Sequence, residues 1–304
     1  MRVLVSGSHG LIGSALVDRL QREGHDPLRL VRSAEAGPGE VAWDPREGRL
    51  EARSLEGLDG VVHLAGAGIG DKRWTAPRKK EILDSRVVST DLLSRRLAET
   101  DSHPPVLISG SAVGYYGDRG DELLDESSAP GAGFLAEVCR QWEAATAPAE
   151  AAGIRVVHVR TGIVQTPNGG TLKRLLPLFK IGAGGRLGSG RQYMSWISLD
   201  DEVGGILHAL QQGSVAGPVN LTAPEPVTNA QFTATLGTVL GRPTFVTAPR
   251  FGLSALLGPE LVEELLLSGQ RVEPKVLLGS GYVFRHPTLE AALRDVLDRP
   301  APVP

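Results

Sequence analysis

Only one cysteine, Cys139, stands among 304 residues, and there are just two methionines and an aromatic content of 5%. A lone thiol cannot close an internal disulfide, and a cysteine-rich metal site is excluded. Cys139 reads as a small, buried apolar residue. Lys and Arg (32) nearly balance Asp and Glu (35), leaving a formal net charge of -3. No global field draws the chain to nucleic acid or to an anionic membrane. No apolar run approaches the ~18 residues of a membrane span. The opening MRVLVSGS enters a strand at once, without the charged and then apolar stretches of a signal peptide. The expectation is a cytoplasmic protein with neither a nucleic-acid nor a membrane partner. The seven histidines show no metal-ligand spacing. His63 and His158 fall inside apolar strand runs, where a satisfied core role is expected, and no metal site is expected.

What is present is a regular alternation. RVLVS (2–6) is followed by LIGSALVDRLQREG (11–24) and then LRLVR (28–32). GVVHLAG (60–66) precedes a helical stretch from about Ala76 to Glu99. PVLISGS (105–111) precedes GFLAEVCRQWEAA (133–145), and RVVHVRTG (155–162) follows. Continuous apolar strands separated by helices imply a parallel sheet covered on both faces. Right-handed crossovers then give an α/β, doubly wound, Rossmann-type fold. After Gly162 the pattern loosens. GPVNLT (217–222) reads as a strand and TNAQFTATLGTVLG (228–241) as a helix capped by Thr228 or Asn229. Helical segments also fit 252–268 and 288–297, and the terminal RPAPVP is expected to fray. The expected division is a nucleotide domain over 1–165, with later segments returning to its sheet, and a smaller interleaved substrate lobe over 166–304. The latter includes a distinct segment at about 250–298.

The strand VLVS runs straight into GSHGLIG, and a helix follows. Gly7, Gly10 and Gly13 allow a tight turn and close approach of backbone to a pyrophosphate. With Ser8, Leu11 and Ile12 they place the free N–H groups of a helix N-terminus against it. The position in the first strand–turn–helix unit is the context that gives such a glycine pattern meaning. A carboxylate about 20 residues on would bond the ribose hydroxyls of NAD. Arg32 and Ser33 stand there instead, and a guanidinium with a hydroxyl suits a 2′-phosphate. NADP (NADPH) is therefore expected in preference to NAD.

SGSHGLIG, HLAG, SGSAVGYYG and VRTG occur in this order. With them the chain resembles the extended short-chain dehydrogenase/reductase superfamily, in particular its epimerase-family branch related to nucleotide-sugar epimerases. RW (73–74), SR (85–86), SAVGYYG (111–117), GSGRQYMSWI (188–197) and ELLLSGQRV (264–272) carry the closer likeness. The last resembles the branch's small C-terminal domain. The resemblance implies Leu64, Ala65 and Gly66 beside the adenosine and ribose, and Arg160 near the nicotinamide. It also implies Glu81 and Arg86 on a helix face toward the cofactor cleft.

The same resemblance exposes an absence. Reductases and epimerases of this kind use a Ser, a Tyr and a Lys, the last two four apart on one helix. The Tyr moves a proton at the substrate oxygen, and the Lys lowers its pKa and holds the nicotinamide ribose. Ser111 matches the Ser. The helix over 133–145 has neither a tyrosine nor a lysine. One register puts Leu135 and Cys139 at the two positions, with Glu143 following; another puts Phe134 and Val138 there. Tyr115 and Tyr116 are the candidates to supply the acid from the Ser111 side of the cleft. The resemblance further implies a substrate site with Arg191 and Gln192 binding, Trp196 as a wall, and Arg73 and Trp74 opposite. Asp200 and Asp201 read as helix-capping acids. Two functions follow: an NADP-dependent oxidoreductase or epimerase-like enzyme acting on a small carbonyl, hydroxyl or sugar-nucleotide-like substrate, or a non-catalytic NADP(H)-binding regulator. Monomer and homodimer both remain open.

Overall fold

The computed structural model describes residues 1–33 and 35–299. All of RPAPVP beyond Arg299 lies outside the described residues. Seven parallel strands form the central sheet: β1 (Arg2–Ser6), β2 (Asp26–Val31), β3 (Glu40–Ala42), β4 (Gly60–His63), β5 (Val106–Ala112), β6 (Arg155–Thr161) and β7 (Gly217–Leu221). Their spatial order is β7-β6-β5-β4-β1-β2-β3. The order reverses at β1, which places a crevice outside the carboxyl ends of β1 and β4, where ligands of such sheets bind. β3 has only three residues and no apolar run, so its sequence carries no strand signal.

The strands are apolar throughout because both faces are covered. Val3, Val5, Val62, Ile108, Val157 and Val219 pack against helices α1 (Leu11–Arg22) and a later helix over Leu199–Gln211. Leu4, Val61, Leu107 and Val156 face the opposite layer, where helix α2 (Ala76–Ala98) supplies Leu93 and Leu97. Helix α3 (Phe134–Ala144) lies beside α2 and sets Leu135, Val138, Cys139 and Trp142 inward. The helix expected over 133–145 is therefore α3, nearly to the residue.

The remaining chain packs as a second cluster. Helices α4 (Gly170–Lys180), α5 (Leu199–Gln211), α6 (Asn229–Leu240) and α7 (Leu289–Val296) follow in order. α4, α6 and α7 enclose Leu176, Phe179, Trp196, Phe232, Leu236 and Leu293. Thr228 caps α6 in a reciprocal capping box with Gln231, settling the choice between Thr228 and Asn229. Ser198, not an aspartate, caps α5. Asp201 has another use: its carboxylate accepts from the backbone N–H of Arg285 and of His286 and from the Tyr282 hydroxyl. It pins the chain leading into α7 to the sheet domain. The helix expected over 252–268 is broken. Arg250–Leu257 ends at Gly258, whose φ of 94° no β-branched or bulky residue adopts, and a turn over Val262–Leu267 follows. Arg271–Val272 then pairs with Leu123–Leu124, tying the C-terminal segment to the sheet domain. Among the described residues no helix is long and apolar enough to cross a membrane.

Candidate functional site

The turn after β1 is built around glycine. Gly7 has φ 66°, and a Cβ there would lie 2.8 Å from the Leu64 carbonyl carbon. A Cβ on Gly13 would sit 2.2 Å from the Gly7 carbonyl oxygen. Neither position has room for a side chain, so β1, the HLAG segment and α1 meet at backbone distance. Gly10 begins α1 with no side-chain cap. The first N–H groups of α1 are left to a ligand or water, at the positive end of the helix dipole. Ser8 is buried beside them with its hydroxyl unpartnered. A buried hydroxyl without a partner is costly, and a phosphate oxygen satisfies it.

Residues from three other segments complete this cleft. Leu64 and Ala65 donate their backbone N–H groups to Ser6 Oγ, which also bonds His63 Nδ1. His63 Nε2 meets Ser89 Oγ, and burial lowers its pKa to about 4. It is a neutral core residue, as expected. Arg86 is buried against Gly66, whose missing Cβ leaves 3.1 Å to the guanidinium carbon. It donates to the carbonyls of Ala67 and Ile82 and lies over the Trp142 ring. Burial pulls its pKa down to about 10. No carboxylate pairs with it among the described residues, and a buried cation in that state calls for an anionic ligand. Glu81, five residues earlier, is exposed and paired with Arg78 Nη1 at 2.7 Å. Through Arg78, which donates to the Gly68 carbonyl, it lies one residue along from the Ala67 carbonyl that Arg86 bonds. At the end of β2, Arg32 and Ser33 are exposed. Arg29 donates to the Ser8 carbonyl at 3.1 Å. This second arginine beside the loop was missed in the sequence; the signal was its place within LRLVR, one strand from the glycine turn.

The Ser111 region is a buried network. Ser111 Oγ donates to Glu143 at 2.6 Å. Glu143 accepts two bonds from Arg160, at 2.8 and 2.9 Å. Arg160 Nη1 reaches the Tyr116 hydroxyl at 3.0 Å, and that hydroxyl donates to Asn220 Oδ1 at 2.8 Å. The Arg160 guanidinium also stacks on the Tyr115 ring, 3.5 Å from its centroid. Two expectations change here. Tyr116 is fully buried, its hydroxyl is committed at both ends, and burial pushes its pKa up to about 12; it is not a proton donor to the cleft. Arg160 is 3% exposed and spends its donors on Glu143, Tyr116 and the Glu126 carbonyl; it is an internal tie, not a free contact for the nicotinamide. Tyr115 is half-buried, with its face against Arg160.

α3 presents Leu135, Cys139 and Glu143 along one face toward this network. Leu135 and Cys139 lie against Gly114, and Cys139 Sγ donates to the Ala112 carbonyl. Val138 points into the core, and Phe134 packs edge-on to Trp74. The register with Leu135 and Cys139 at the Tyr and Lys positions is the one that faces Ser111. Burial pushes the Cys139 thiol up to about 11, so it stays protonated.

At the N-terminus of α3 the C-terminal segment returns. The backbone N–H groups of Phe134 and Leu135 each donate to the Glu264 carboxylate at 2.9 Å. Gly133, at φ 109°, lets the carboxylate approach. A cavity of about 170 Å³ lies there, with Gly114, Leu135, Glu264 and Gln270 among its lining residues. Glu264 acts across 130 residues of chain, and only its place in ELLLSGQRV marked it. Of the expected substrate residues, Trp74 comes to Phe134 at the start of α3 and Arg73 to Gly258, though neither lines the cavity. Nor does Trp196: it is fully buried and donates to the Glu225 carbonyl. Gln192 holds the carbonyls of Leu187 and Leu266, and Arg191 is exposed. These three are fold residues or surface, not pocket walls. No group of three potential metal ligands occurs among the described residues.

A Rossmann-type sheet, a glycine turn at its switch point and a cationic rim define a dinucleotide-fold protein of the short-chain dehydrogenase/reductase kind. The chain belongs to the NAD dependent epimerase/dehydratase family, whose model matches residues 3–221; a domain of unknown function matches 248–296. Epimerase family protein MT2273 of Mycobacterium tuberculosis is 47% identical over 298 residues, 98% of each chain. The crystal structure of human epimerase family protein SDR39U1 (isoform 2) with NADPH superposes with a TM-score of 0.91 at 35% identity, covering 98% of this chain and 99% of that one. A structure described as the nucleoside-diphosphate sugar epimerase from Corynebacterium glutamicum gives a TM-score of 0.81 at 39% identity, covering 98% of this chain and 58% of that one.

Proposed function

We propose that this chain binds NADP(H) across the glycine loop and that it does so without the phenol–ammonium relay of related enzymes. The carrying observation is the unpartnered Ser8 hydroxyl at the uncapped start of α1. Arg29 and Arg32 beside it supply positive charge at the adenosine end, and Arg86 faces the loop's other side. The human relative's structure with NADPH supports the same cofactor. Bound there, the nicotinamide would supply hydride chemistry. The chain's own residues would hold the pyrophosphate on the α1 N-terminus, the 2′-phosphate on Arg32 and Ser33, and the ribose side against Leu64, Ala65 and Gly66.

What these residues cannot supply is a proton. Ser111 has given its hydroxyl hydrogen to Glu143, so it offers a lone pair. It accepts from a hydroxyl or amide; it does not donate to a carbonyl. An enzyme acting on a small hydroxyl compound, exchanging its proton with solvent, fits that orientation. A regulator that reads the redox state of its nucleotide fits Leu135 and Cys139, which place neither a phenol nor an ammonium at the positions of the usual relay.

Fluorescence titration with NADPH and NADH tests the binding. NADPH is expected to bind at least about tenfold more tightly, with Arg32→Ala removing most of the difference. Equal affinities in the parent chain would defeat the NADP assignment. A panel of carbonyl and hydroxyl compounds followed at the nicotinamide absorbance then separates the outputs. Turnover that Ser111→Ala depresses selects the enzyme. Silence, with a partner protein whose affinity differs between the NADP and NADPH forms, selects the regulator.

A further inference from the structure

Away from the glycine cleft, the second cluster carries a feature that the nucleotide reading does not use. Lys180 ends α4, Arg242 follows α6, and Arg299 follows α7. With Leu240 they line a cavity of about 310 Å³. Three cations from three segments face one space in a chain whose net charge is -3.

The simplest account is that each cation offsets the negative end of its own helix. That effect needs only proximity and is compatible with a bound anion; a tighter form adds side-chain bonds to the last-turn carbonyls, as Arg22 makes to the Asp18 carbonyl at the end of α1. None of the three makes one. Among the described residues, Arg242 and Arg299 bond only through their backbone N–H groups, to the carbonyls of Gly237 and Arg294. Nor does any of the three have an acidic partner among the described residues. Of the nearby acids, Asp295 faces His286 and Arg285 and Glu290 faces Arg294, while Asp298, next to Arg299, makes no ion pair with the three cations among the described residues. Mutual repulsion of three like charges is tolerated at a surface, but it is relieved by an anion.

The positioning is also fixed by the fold. Gly241 takes the left-handed conformation at the end of α6, with φ 62° and ψ 40°, and the Arg242 N–H closes back on the Gly237 carbonyl. This turn sets the direction in which Arg242 leaves the helix. α4 and α7 are held to α6 by the shared core of Phe179, Leu236 and Leu293. All three side chains are exposed; Lys180 ends its helix, and Arg242 and Arg299 stand just beyond theirs, on helices that this core packs together.

We propose that this cavity is a binding site for the phosphate or diphosphate group of a small phosphorylated molecule, separate from the nucleotide cleft. Two guanidinium forks and an ammonium match the several oxygens of such a group. A volume near the lower end of small-molecule pockets, ~300 Å³, admits the anion with a modest organic part resting on Leu240. Because the site stands at the ends of helices whose other faces build the second cluster, occupancy would stiffen that cluster.

Pyrophosphate is the probe, since it presents the chemistry without a nucleoside. Isothermal titration and thermal melts compare the parent chain with the Arg242→Ala, Arg299→Ala double variant, at matched ionic strength set with sodium chloride. The expected result is saturable binding by the parent and at least about tenfold weaker binding by the double variant. Pyrophosphate bound on the glycine loop would be common to both proteins, so the difference between them is the readout whether or not the NADP(H) reading holds. Lys180→Gln repeats the test from α4 should the double variant melt early. Equal binding by parent and variants, no saturable binding, or an equal effect of chloride would each overturn the proposal.

Discussion

Replacing Arg160 with methionine is expected to destabilise the chain by about 3–5 kcal/mol, the cost of stranding a buried charge. Glu143 would lose both of its guanidinium bonds while remaining largely out of water, and the Tyr116 hydroxyl would lose its donor. For a chain of this size that loss corresponds to a fall in melting temperature of roughly 5–8 °C. The matched test replaces both partners, Arg160→Met with Glu143→Gln. Removing both charges leaves no unpaired ion, so the double variant should recover much of the single variant's loss. If the single variant melts with the parent, the pair is already hydrated and the network is not the tie described here. The comparison matters for function as well as stability. Glu143 is what holds the Ser111 hydroxyl hydrogen away from the cleft, and Arg160 is what keeps Glu143 an acceptor.

That network also marks where sequence reading stopped. The α/β architecture was legible because buried parallel strands must be apolar on both faces, and RVLVS, GVVH and RVVHV have no other comfortable place. The glycine loop was legible because a missing Cβ is visible in the sequence and its spacing says where backbones must touch. Tyr116 was misassigned because two adjacent tyrosines look alike as letters. Only the three-dimensional turn over Val113–Tyr116 sends one ring under Arg160 and the other phenol to Asn220, 104 residues away. Trp196 in a segment crossing the cleft could equally wall a pocket or fill a core, and the packing of α4, α6 and α7 decided for the core. Arg160 was placed near the right end of the sheet, but its partner lies on α3, and no local pattern ties VRTG to Glu143. Glu264 is the same case at longer range. A helix N-terminus needs an acceptor, yet nothing in GFLAEV says that the acceptor comes from the C-terminal segment. The absent Tyr–Lys pair, by contrast, was fully legible, since an absence does not depend on contacts.

A second large effect is expected from Glu202→Gln, and it depends on pH. Glu202 is fully buried one turn into α5; Thr161 donates to one carboxylate oxygen at 2.7 Å, and the other oxygen has no partner. Burial raises its pKa from 4.5 to about 8. Between those values the folded chain holds a proton that the unfolded chain has released. Stability therefore falls as pH rises through this window and levels off above about 8. A tenfold change in proton affinity is worth about 1.4 kcal/mol, which makes the ionised group's penalty on the order of 3–5 kcal/mol. Glutamine keeps the acceptor for Thr161 and cannot ionise. Near pH 5 the variant should lie within about 1 kcal/mol of the parent, because the carboxyl is still neutral in the fold and pH 5 stands only just above its ordinary value of 4.5 in the unfolded chain. At pH 9 the variant should be the more stable by several kcal/mol, read from urea unfolding at both pH values. His63, His158 and His208 have lowered pKa values and push parent stability the opposite way, upward with pH, but they are common to both proteins and cancel in the difference. A variant-minus-parent difference that does not change between pH 5 and pH 9 would mean that Glu202 titrates as an ordinary carboxylate. In that case the unpartnered oxygen must be satisfied by water or by a bound cation reaching the end of β6.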